Sequence, residues 1–453
     1  MSKVRNTSRL IGTAGVTPGS YILQSCNITA SDETVLDIKE LIVEIIITES
    51  IYTVSLDCEL IILDGVNLFE EMKLNGDEKI EIHIKRTELD KKNTEMHKHT
   101  FYVSEVLNFS RNKNGSSSYN IRGVSKHAYI SSSKTLNEYK EGTIGEIIHA
   151  ICKSDLKIKK MDINKGTYQN VSCIIPKLRP LAAINWLNSN AFTTTGAPFY
   201  FYETLKSKVK YKSYEDFVDS ADEGLDTREY IHSPVQQFKI GTKEYFAEQS
   251  RRIRKLSSEL NLSKFIAINE GAYASTTKSI DISTKDYKPK KEYFYGSIKK
   301  LNNNDPFPKR NNNDQYDGKE INKISNGKNY FLSLNSKAFS NANFHAPALD
   351  SIGKCQSYLS TEDTLSHDIL IPGNFNLEVG QVLKMTVNKT GAEDNISSPI
   401  DKMQSGKYLI TTIIHKFADE YTQNVEIKTN SFNADLTDII KVEGEKDGKE
   451  VSV

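Results

Sequence analysis

The feature that most constrains this fold is a pair of β-rich runs near the end of the chain. Residues 406–431 read GKYLITTIIHKFADEYTQNVEIKTNS, and a polar break separates the two runs. The second run alternates, with Asn424, Glu426 and Lys428 on its polar side, which is typical of a strand with one solvated face. The first run is apolar on both sides. Because such a strand needs cover on both faces, we expect it to pack inward on a core and outward on a neighbour.

Three short runs of this region recur, in the same order, much earlier in the chain. Their spacing is nearly constant, because the start positions 101 and 408 differ by 307, 119 and 425 by 306, and 80 and 383 by 303. The matched runs are FYVSEVLN (101–108) with YLITTIIH (408–415), YNIR (119–122) with VEIK (425–428), and IEIHI (80–84) with LKMTV (383–387).

The turns and loops around these runs recur as well. A leucine and a turn glycine precede the IEIHI and LKMTV runs, as Leu74 with Gly76 and Leu377 with Gly380, and a long polar loop follows each run. Short β-hairpins resemble one another, so the recurrence of the loop is the stronger observation. The sequence predicts a β-rich α+β fold in which two similar antiparallel β-barrel, tube-like domains are separated by a small mixed α/β domain.

The middle of the chain changes from strand to helix periodicity. Thr143 and Glu146 form a capping box before the amphipathic run IGEIIHAI, and Pro180 suits the first turn of a second helix. A Tyr/Phe-rich hairpin follows, in which Phe199 and Phe201 alternate and are expected to dock on those helices. These signals predict the mixed domain.

The patterns divide the chain into six segments. They are a first barrel at 1–135, the mixed domain at 136–225, strands and a helix at 226–300 that contribute to the second barrel and a lower domain, an Asn-rich loop or insertion at 301–344, the second barrel at 345–436 and a charged tail at 437–453. Within them we expect strand at 35–46 and 265–283, a basic helix at 243–260, a helix from Pro347, and an exposed loop at 302–328.

Composition argues against several partners. Lys and Arg together number 59, as do Asp and Glu, so no net charge indicates nucleic acid or a membrane surface. The five cysteines contain no CxxC pair, and no apolar segment is long enough for a signal peptide or a membrane span. We therefore expect a reducing compartment, no sequence-specific nucleic acid and no stable membrane anchor. The basic run Arg251–Lys255 could bind phosphate or RNA, but interleaved glutamates favour a solvated helix face.

The sequence carries no catalytic signature, so we predict no catalytic, cofactor-binding or metal-binding residues and no cofactor. His97 and His99 have a spacing that could ligate a metal, but a solvated loop is the favoured interpretation. Trp186 is interpreted as a core or inter-domain anchor in preference to a sugar platform. A pair of glycosidase carboxylates leaves no sequence signature, so that alternative stays open.

Four landmarks together suggest a family. They are ESIYTVSLDCELIILDG with LNGDEKIEIHI, TIGEIIHAI leading to PLAAINWL, PFYFYETLKSKVKYKSYEDFV, and IPGNFNLEVGQVLKM with GKYLITTIIHKF and YTQNVEIKTNSFNADL. In this order and spacing the chain resembles the central baseplate hub protein of contractile-tailed bacteriophages, a family also related to the hub part of type VI secretion spike proteins. The Asn-rich segment departs from the family pattern.

The resemblance implies a non-enzymatic structural protein of the virion tail baseplate, assembled in the host cytoplasm. It implies a homotrimer whose six barrels surround a channel and adapt the sixfold tail tube to the threefold central spike. The implied partners are a separate trimeric spike protein and tail tube or tube-initiator proteins, with tape-measure and baseplate-wedge proteins as further candidates. Two alternatives remain at this point: a tail-associated glycan-binding module or polysaccharide depolymerase, and a type VI secretion-like hub.

Overall fold

The computed structural model describes residues 18–86, 96–113, 115–168, 170–206, 208–233, 242–261, 264–293, 298–304, 327–334, 346–389 and 400–433. The first segment is built from strands that alternate buried and open positions. Its elements are β1 (Tyr21–Thr29), β2 (Val35–Asp37), a 3-10 turn (Lys39–Leu41), β3 (Ile42–Ser50), β4 (Asp57–Asp64), α1 (Leu68–Glu71), β5 (Lys79–Arg86), β6 (Met96–Arg111), β7 (Ser117–Ser125) and α2 (Lys126–Ser132).

The mixed domain follows, with its two predicted helices. Its elements are β8 (Tyr139–Thr143), α3 (Ile144–Ser154), β9 (Met161–Ile163), β10 (Asn170–Ile174), α4 (Pro180–Asn188), β11 (Phe199–Thr204), β12 (Lys208–Ser213) and α5 (Tyr214–Asp219). The capping box of Thr143 and Glu146 is formed, and Pro180 opens α4. Phe199 and Phe201 share one buried core with α3 and α4, as predicted.

The remaining elements complete the second β-rich part of the chain. They are a 3-10 turn (Leu225–Arg228), β13 (Glu229–His232), α6 (Lys243–Ser250), β14 (Lys255–Leu260), α7 (Lys264–Glu270), β15 (Ala274–Asp281), β16 (Asp286–Tyr293), β17 (Lys328–Leu334), α8 (Ala346–Glu362), β18 (Leu365–Pro372), β19 (Val382–Val387), β20 (Gly406–Phe417) and β21 (Tyr421–Thr429).

One 13-stranded sheet dominates the described residues, and it is made of two blocks. In the first block the strands lie in the order β3-β4-β7-β6-β5-β1, with β2 beyond β1. In the second block the order is β14-β18-β21-β20-β19-β13. When the six strands of each block are numbered in chain order, their spatial order in the sheet is the same in both blocks. A six-stranded topology therefore occurs twice. The copies differ in their last strand, since β1 is antiparallel to β5 whereas β13 is parallel to β19.

Backbone details repeat at the spacing that the sequence predicts. Val103 N–H donates to Glu78 O at 2.9 Å, and Ile410 N–H donates to Gln381 O at 2.9 Å. A bulge follows at Ser104 in β6 and at Thr411 in β20. The two bulges carry the same side-chain bond, because each hydroxyl donates to a backbone carbonyl of the next strand at 3.1 Å, that of Arg122 and that of Glu426.

Two of the three predicted alignments are confirmed by these pairings, and the third is shifted. Ile80 lies opposite Phe101, and Leu383 lies opposite Tyr408, as the predicted alignment requires. At the bulge, however, Glu105 pairs with Arg122 and Thr412 with Glu426, which places the third strand two residues from the predicted match. A shift of two keeps every side chain on the same face, so the alternation of YNIR and VEIK could not reveal it.

The strand pairings of the described residues form no closed barrel, so the predicted pair of barrels is not confirmed. In each block, the residues just before β3 or β14 nevertheless hydrogen-bond to the strand at the far end of the same block, β1 or β13. Ile38 N–H donates to Cys26 O at 2.8 Å before β3 begins, and Ile253 N–H donates to Ile231 O at 2.9 Å before β14 begins. Inward side chains from all strands of the first block meet in one core, which shows that the sheet is strongly curved.

Other local expectations need correction. Residues 35–46 contain two strands interrupted by a 3-10 turn. The apolar run after Lys264 is helical in α7, because Ala267 and Ile268 pack against Tyr273 at the base of the small sheet β16-β15-β17. Asn302, expected in an exposed loop, is half-buried and donates to Lys407 O and Thr429 Oγ1 at 3.0 Å. Residues 305–326, 87–95 and 390–399 of the predicted loops, like the charged tail, lie outside the described residues.

The repeated turn glycines provide a matched test of local packing. Both have positive φ, but a Cβ on Gly76 would meet nothing within 4 Å, whereas one on Gly380 would lie 2.3 Å from the Tyr202 hydroxyl. We predict that Gly76→Ala lowers the free energy of unfolding by about 1 kcal/mol through backbone strain alone. Gly380→Ala should cost about 1–3 kcal/mol more because of overpacking. Urea denaturation measures both, and equal losses would contradict this packing.

Candidate functional site

The two blocks are joined edge to edge by main-chain hydrogen bonds. Residues 45–50 of β3 pair with residues 412–417 of β20 in antiparallel register. On the same side of β20, residues 406–409 pair with β19, so β20 has strand neighbours along both edges. Beyond the bulge only one face of β20 is fully buried, since Thr412 and Ile414 on the other face are half-buried and Lys416 is exposed, so the expected cover on both faces is incomplete. Ile410 and Ile413 pack in the core of the second block, whereas Phe417 packs in the core of the first.

A buried polar pair lies at the centre of this junction. His415 Nε2 is 3.1 Å from Glu49 Oε1, and both side chains are fully buried. The second carboxylate oxygen accepts the backbone N–H of Leu205 at 2.7 Å, and His415 Nδ1 is 2.8 Å from the Tyr421 hydroxyl. Leu205 directly follows β11 in the hairpin of the mixed domain. The Glu49 carboxylate therefore links the first block to the second block and to the mixed domain. These contacts offset the cost of burying an ionisable group.

The loop between β18 and β19 reinforces the junction. Asn374 N–H donates to Gln423 Oε1, and Gln423 Nε2 donates to Asn374 O, both at 3.0 Å. The next residue, Phe375, belongs to the second block by sequence but packs in the core of the first. Its ring lies 4.7 Å from that of Tyr421 and is stacked at 4.0 Å on His97. A side chain of one block thus fills the core of the other.

Three further titratable side chains, two buried and one half-buried, lie where the first block meets the mixed domain. Burial raises the pKa of Glu203 to about 7, and its carboxylate lies 3.5 Å from His127 Nε2. Burial lowers the pKa of His127 to about 4, with the nearby Lys126 adding to the effect. Burial, with His415 and His97 nearby, lowers the pKa of His99 to about 3. At neutral pH both imidazoles are therefore uncharged.

A second polar contact ties α8 to the first block. Tyr52 Oη donates to Glu362 Oε1 at 2.6 Å, and Tyr200 Oη donates to Glu362 Oε2 at 2.7 Å. Burial raises the pKa of this carboxyl. The ammonium group of Lys428 lies 5.0 Å above the Tyr52 ring. The contact joins the β3–β4 turn, the mixed domain and the end of α8, so it fixes their relative positions.

A cleft of about 420 Å³ lies between the mixed domain and the second block. Its charged lining side chains are engaged with one another or with nearby groups. Lys210 pairs with Glu378 at 2.9 Å, Lys212 with Asp162 at 3.0 Å, and Asp219 with Lys299 at 2.8 Å. The Asp216 carboxylate caps α5 by accepting the Ser213 N–H. The Lys210–Glu378 and Asp219–Lys299 pairs join the mixed domain to the later part of the chain, whereas the Lys212–Asp162 pair lies within the mixed domain. The acids and bases of these three pairs are engaged with each other.

Both histidines of the EMHKHT segment lie in a strand and not in the predicted solvated loop. His97 and His99 lie in β6, where the side chain of His99 is buried and that of His97 is stacked on Phe375. Both histidines pair with residues of β5, so they belong to the sheet and not to a solvated loop. Across the described ranges, no cluster of three or more His, Cys, Asp or Glu side chains could hold a metal ion.

The basic run also differs from its prediction. Helix α6 ends at Ser250, so Arg251 is its C-cap residue and Arg252 and Arg254 follow outside the helix. Arg252 donates to Ser233 O at 2.6 Å, and Arg254 pairs with Glu420. The run continues into β14 because Arg254 N–H bonds Leu370 O of β18. Neither a helix face nor a phosphate-binding patch is formed by these residues.

Trp186 is half-buried against the core of the mixed domain, which agrees with its predicted role as an anchor. Glu49, His415 and Glu203 were missed by the sequence interpretation. Glu49 and His415 do carry a signal, because each is an ionisable residue at the end of a β-branched run, with Glu44 and Lys416 nearby. Such a residue is rarely buried without a partner, and the partner here comes from the other end of the chain.

No protein-family model matches this chain, and no curated protein matches its sequence. Solved structures do resemble it. The tail protein from Neisseria meningitidis MC58 aligns with a TM-score of 0.50 at 8% identity, covering 90% of this chain and 96% of that one. The 43 kDa tail protein of prophage MuSo2 from Shewanella oneidensis gives 0.49 at 10% identity, with coverage of 90% and 98%. The prophage tail protein gp18 from Listeria monocytogenes EGD-e gives 0.45 at 9% identity, with coverage of 93% and 99%.

The likeness to the Neisseria protein concerns the fold, which is predominantly antiparallel β-sheet with a few helices, and it extends over nearly the full length of both chains. None of the helices among the described residues has the length and apolar character needed to cross a membrane.

The buried carboxylate at the junction predicts a large stability effect. We expect Glu49→Ala to lower the free energy of unfolding by about 3–5 kcal/mol, since it leaves His415 and the Leu205 N–H without their acceptor. Glu49→Gln is the matched variant, because its amide oxygen still accepts one bond, and it should cost about 1–2 kcal/mol. Chemical denaturation of both variants checks this, and a neutral Glu49→Ala variant would contradict the proposed importance of the pair.

Glu203 predicts a dependence of stability on pH. Its folded pKa of about 7 exceeds the ordinary value of 4.5, so the folded chain retains a proton that the unfolded chain releases, and stability falls as pH rises from 4.5 through 7. Glu203→Gln stays neutral beside His127 and should escape this loss. Its melting temperature relative to wild type should therefore increase between pH 5 and pH 8. The exposed variant Glu40→Gln is the control, and parallel behaviour of the two variants would refute the prediction.

Proposed function

We propose that this chain is a structural component of a bacteriophage tail, and specifically the central hub of a contractile-tail baseplate. The observation that carries the proposal is the six-stranded topology that occurs twice in one chain. Its fold likeness to a tail protein from Neisseria meningitidis supports the assignment to a tail. The hub assignment further rests on the resemblance of the four sequence landmarks.

The proposed mechanism is geometric. A ring of three chains with two like sheet blocks each presents six similar units, so it can match a sixfold partner on one side. Everything that is not duplicated, including the mixed domain and α8, occurs three times and can match a threefold partner. On this proposal each block becomes a barrel-like unit of a ring around a channel, with the tail tube or its initiator above and a trimeric spike below.

The proposed role is structural rather than enzymatic. Where the first block meets the mixed domain, the buried Glu203 lies beside the half-buried His127, so these ionisable groups connect parts of the fold. The ion pairs of the cleft are likewise internal to the molecule. Nothing in these contacts favours a glycan-binding module or a depolymerase, so neither is proposed.

The proposed assembly predicts a discrete oligomer. The purified full-length chain, measured by native mass spectrometry at micromolar concentration, should give a species of three times the 51.1 kDa chain mass. A ring of three is expected because two blocks per chain then supply six units. A monomer, or a ring of four or more chains, would overturn the hub proposal. Reducing-end release from capsular or cell-wall polysaccharide, measured in parallel, should be absent.

A further inference from the structure

The junction inside the chain is a template for a junction between chains. Strand β3 is the second strand of the first block, and it pairs with β20, the fifth strand of the second block. The duplicated topology contains the same two edges once more. The second strand of the second block is β14, and the fifth strand of the first block is β6.

Both of these remaining edges are open in the described part of the chain. β14 pairs along one side with β18, and the hydrogen bonds that the structure describes for residues 255–260 are on that side. β6 pairs with β5 as far as Val103, after which residues 104–111 pair with β7 alone. Side chains there are open as well, since Leu260 is 44% exposed and Val106 and Leu107 are half-buried.

The register of the internal junction transfers to these edges through the pairings already described. Leu60 and Ile369 are equivalent, and they pair with Ile45 and Leu256 respectively, so β14 follows β3 by 211 residues. β20 follows β6 by 307 residues up to the bulge and just beyond it. The internal pair Ile413 with Glu49 thus corresponds to Val106 with Leu260, and the pair Ile414 with Thr48 corresponds to Leu107 with Glu259.

The backbone groups point in the required directions. Asn261 N–H donates to Thr364 O at 3.0 Å, towards β18. Because N–H groups alternate along a strand, those of Leu260 and Ser258 face the open edge. In the internal junction Glu49 of β3 lies opposite Ile413 of β20, so the Leu260 N–H lies opposite the Val106 carbonyl in the corresponding pairing. The two open edges therefore offer a donor and an acceptor at this matching position.

The equivalence ends at Asn108, which has a φ of +56° and begins a second irregularity in β6 that β20 lacks. The corresponding pairing is therefore short, and its described part joins Val106 and Leu107 to Leu260 and Glu259. Its chemistry also differs from that of the internal junction. β3 reads IVEIIITES and buries Ile45, Ile47 and Glu49, whereas β14 reads KLSSEL and is mostly exposed. A permanent contact within one chain can be apolar, while an edge that is exposed before assembly must remain polar.

We propose that Glu259 and Leu260 at the end of β14 in one chain pair with Val106 and Leu107 of β6 in a second copy of this chain, in antiparallel register, with Leu107 opposite Glu259. The contact is head-to-tail, since each copy presents β14 on one side and β6 on the other. It repeats around a ring the same edge pairing that joins the two blocks inside each chain. This inference rests on the proposed trimeric hub and identifies the surfaces through which it closes.

Cysteine cross-linking tests the pairing directly. Leu107 and Glu259 correspond to a non-hydrogen-bonded pair, whose Cα atoms are about 4.5 Å apart in an antiparallel ladder, a separation that a disulfide can bridge. Full-length chain carrying both Leu107→Cys and Glu259→Cys should form, on mild oxidation, a closed covalent trimer. The two single variants should stay uncross-linked alone and form a dimer when mixed. Wild type is the control, because four of its five cysteines are buried and the fifth is half-buried.

Each outcome separates the pairing from the hub proposal. A dimer from either single variant alone would indicate a symmetric contact and overturn the inference. A native trimer without cross-linking in the double variant would overturn the pairing and leave the hub proposal standing, whereas a monomer would overturn both.

A second pair of variants tests the open edge without cysteines. Leu260→Pro removes an N–H that faces away from β18, and Leu260→Thr retains it. Native mass spectrometry should show that the Leu260→Pro variant has lost the trimer, while the melting temperature of its monomer is unchanged. The Leu260→Thr variant should keep the trimer. Equal trimer populations for both would contradict the proposed pairing.

Discussion

The rest of the structure depends on the main-chain pairing of β3 with β20. Without it the chain would be two sheets connected by a mixed domain, and their relative orientation would be set by side-chain packing alone. The pairing fixes that orientation in hydrogen-bond register, and the Glu49–His415 contact makes the register specific because one buried ionisable group needs the other. A shift of one residue would move this pair, and every apolar side chain of β3, to the opposite face.

Duplication with divergence gives the chain two kinds of surface. The repeated parts are the backbone features, including the bulges at Ser104 and Thr411 and the turn glycines that precede β5 and β19. The divergent parts are the elements inserted between strands, which include α1 in the first block and, in the second, the Phe375 loop and the segment from α7 to α8. Sheet topology is thus conserved between the copies while their ends differ. This combination is the one that an adapter between sixfold and threefold partners needs.

Much of this fold could be predicted from sequence where the signal was local or periodic. The capping box at Thr143 and the spacing of 307 residues between Phe101 and Tyr408 are examples of such signals. Three kinds of feature were beyond reach. The third repeat was displaced by two residues because a period of two cannot resolve such a shift. Helix α7 has a continuous apolar run whose conformation is decided by its packing. The Glu49–His415 contact spans 366 positions, and no local pattern connects residues that far apart.

The most direct test of the account is the rotational symmetry of the purified protein, measured by averaging electron micrographs of end-on particles. The account predicts rings with a strong sixfold component at the radius of the sheets and a threefold component elsewhere, because each of three chains contributes two like blocks and one of everything else. Rings in which the sheet layer shows only threefold symmetry, or particles with another symmetry, would contradict the claim that the duplicated blocks are arranged as equivalent units.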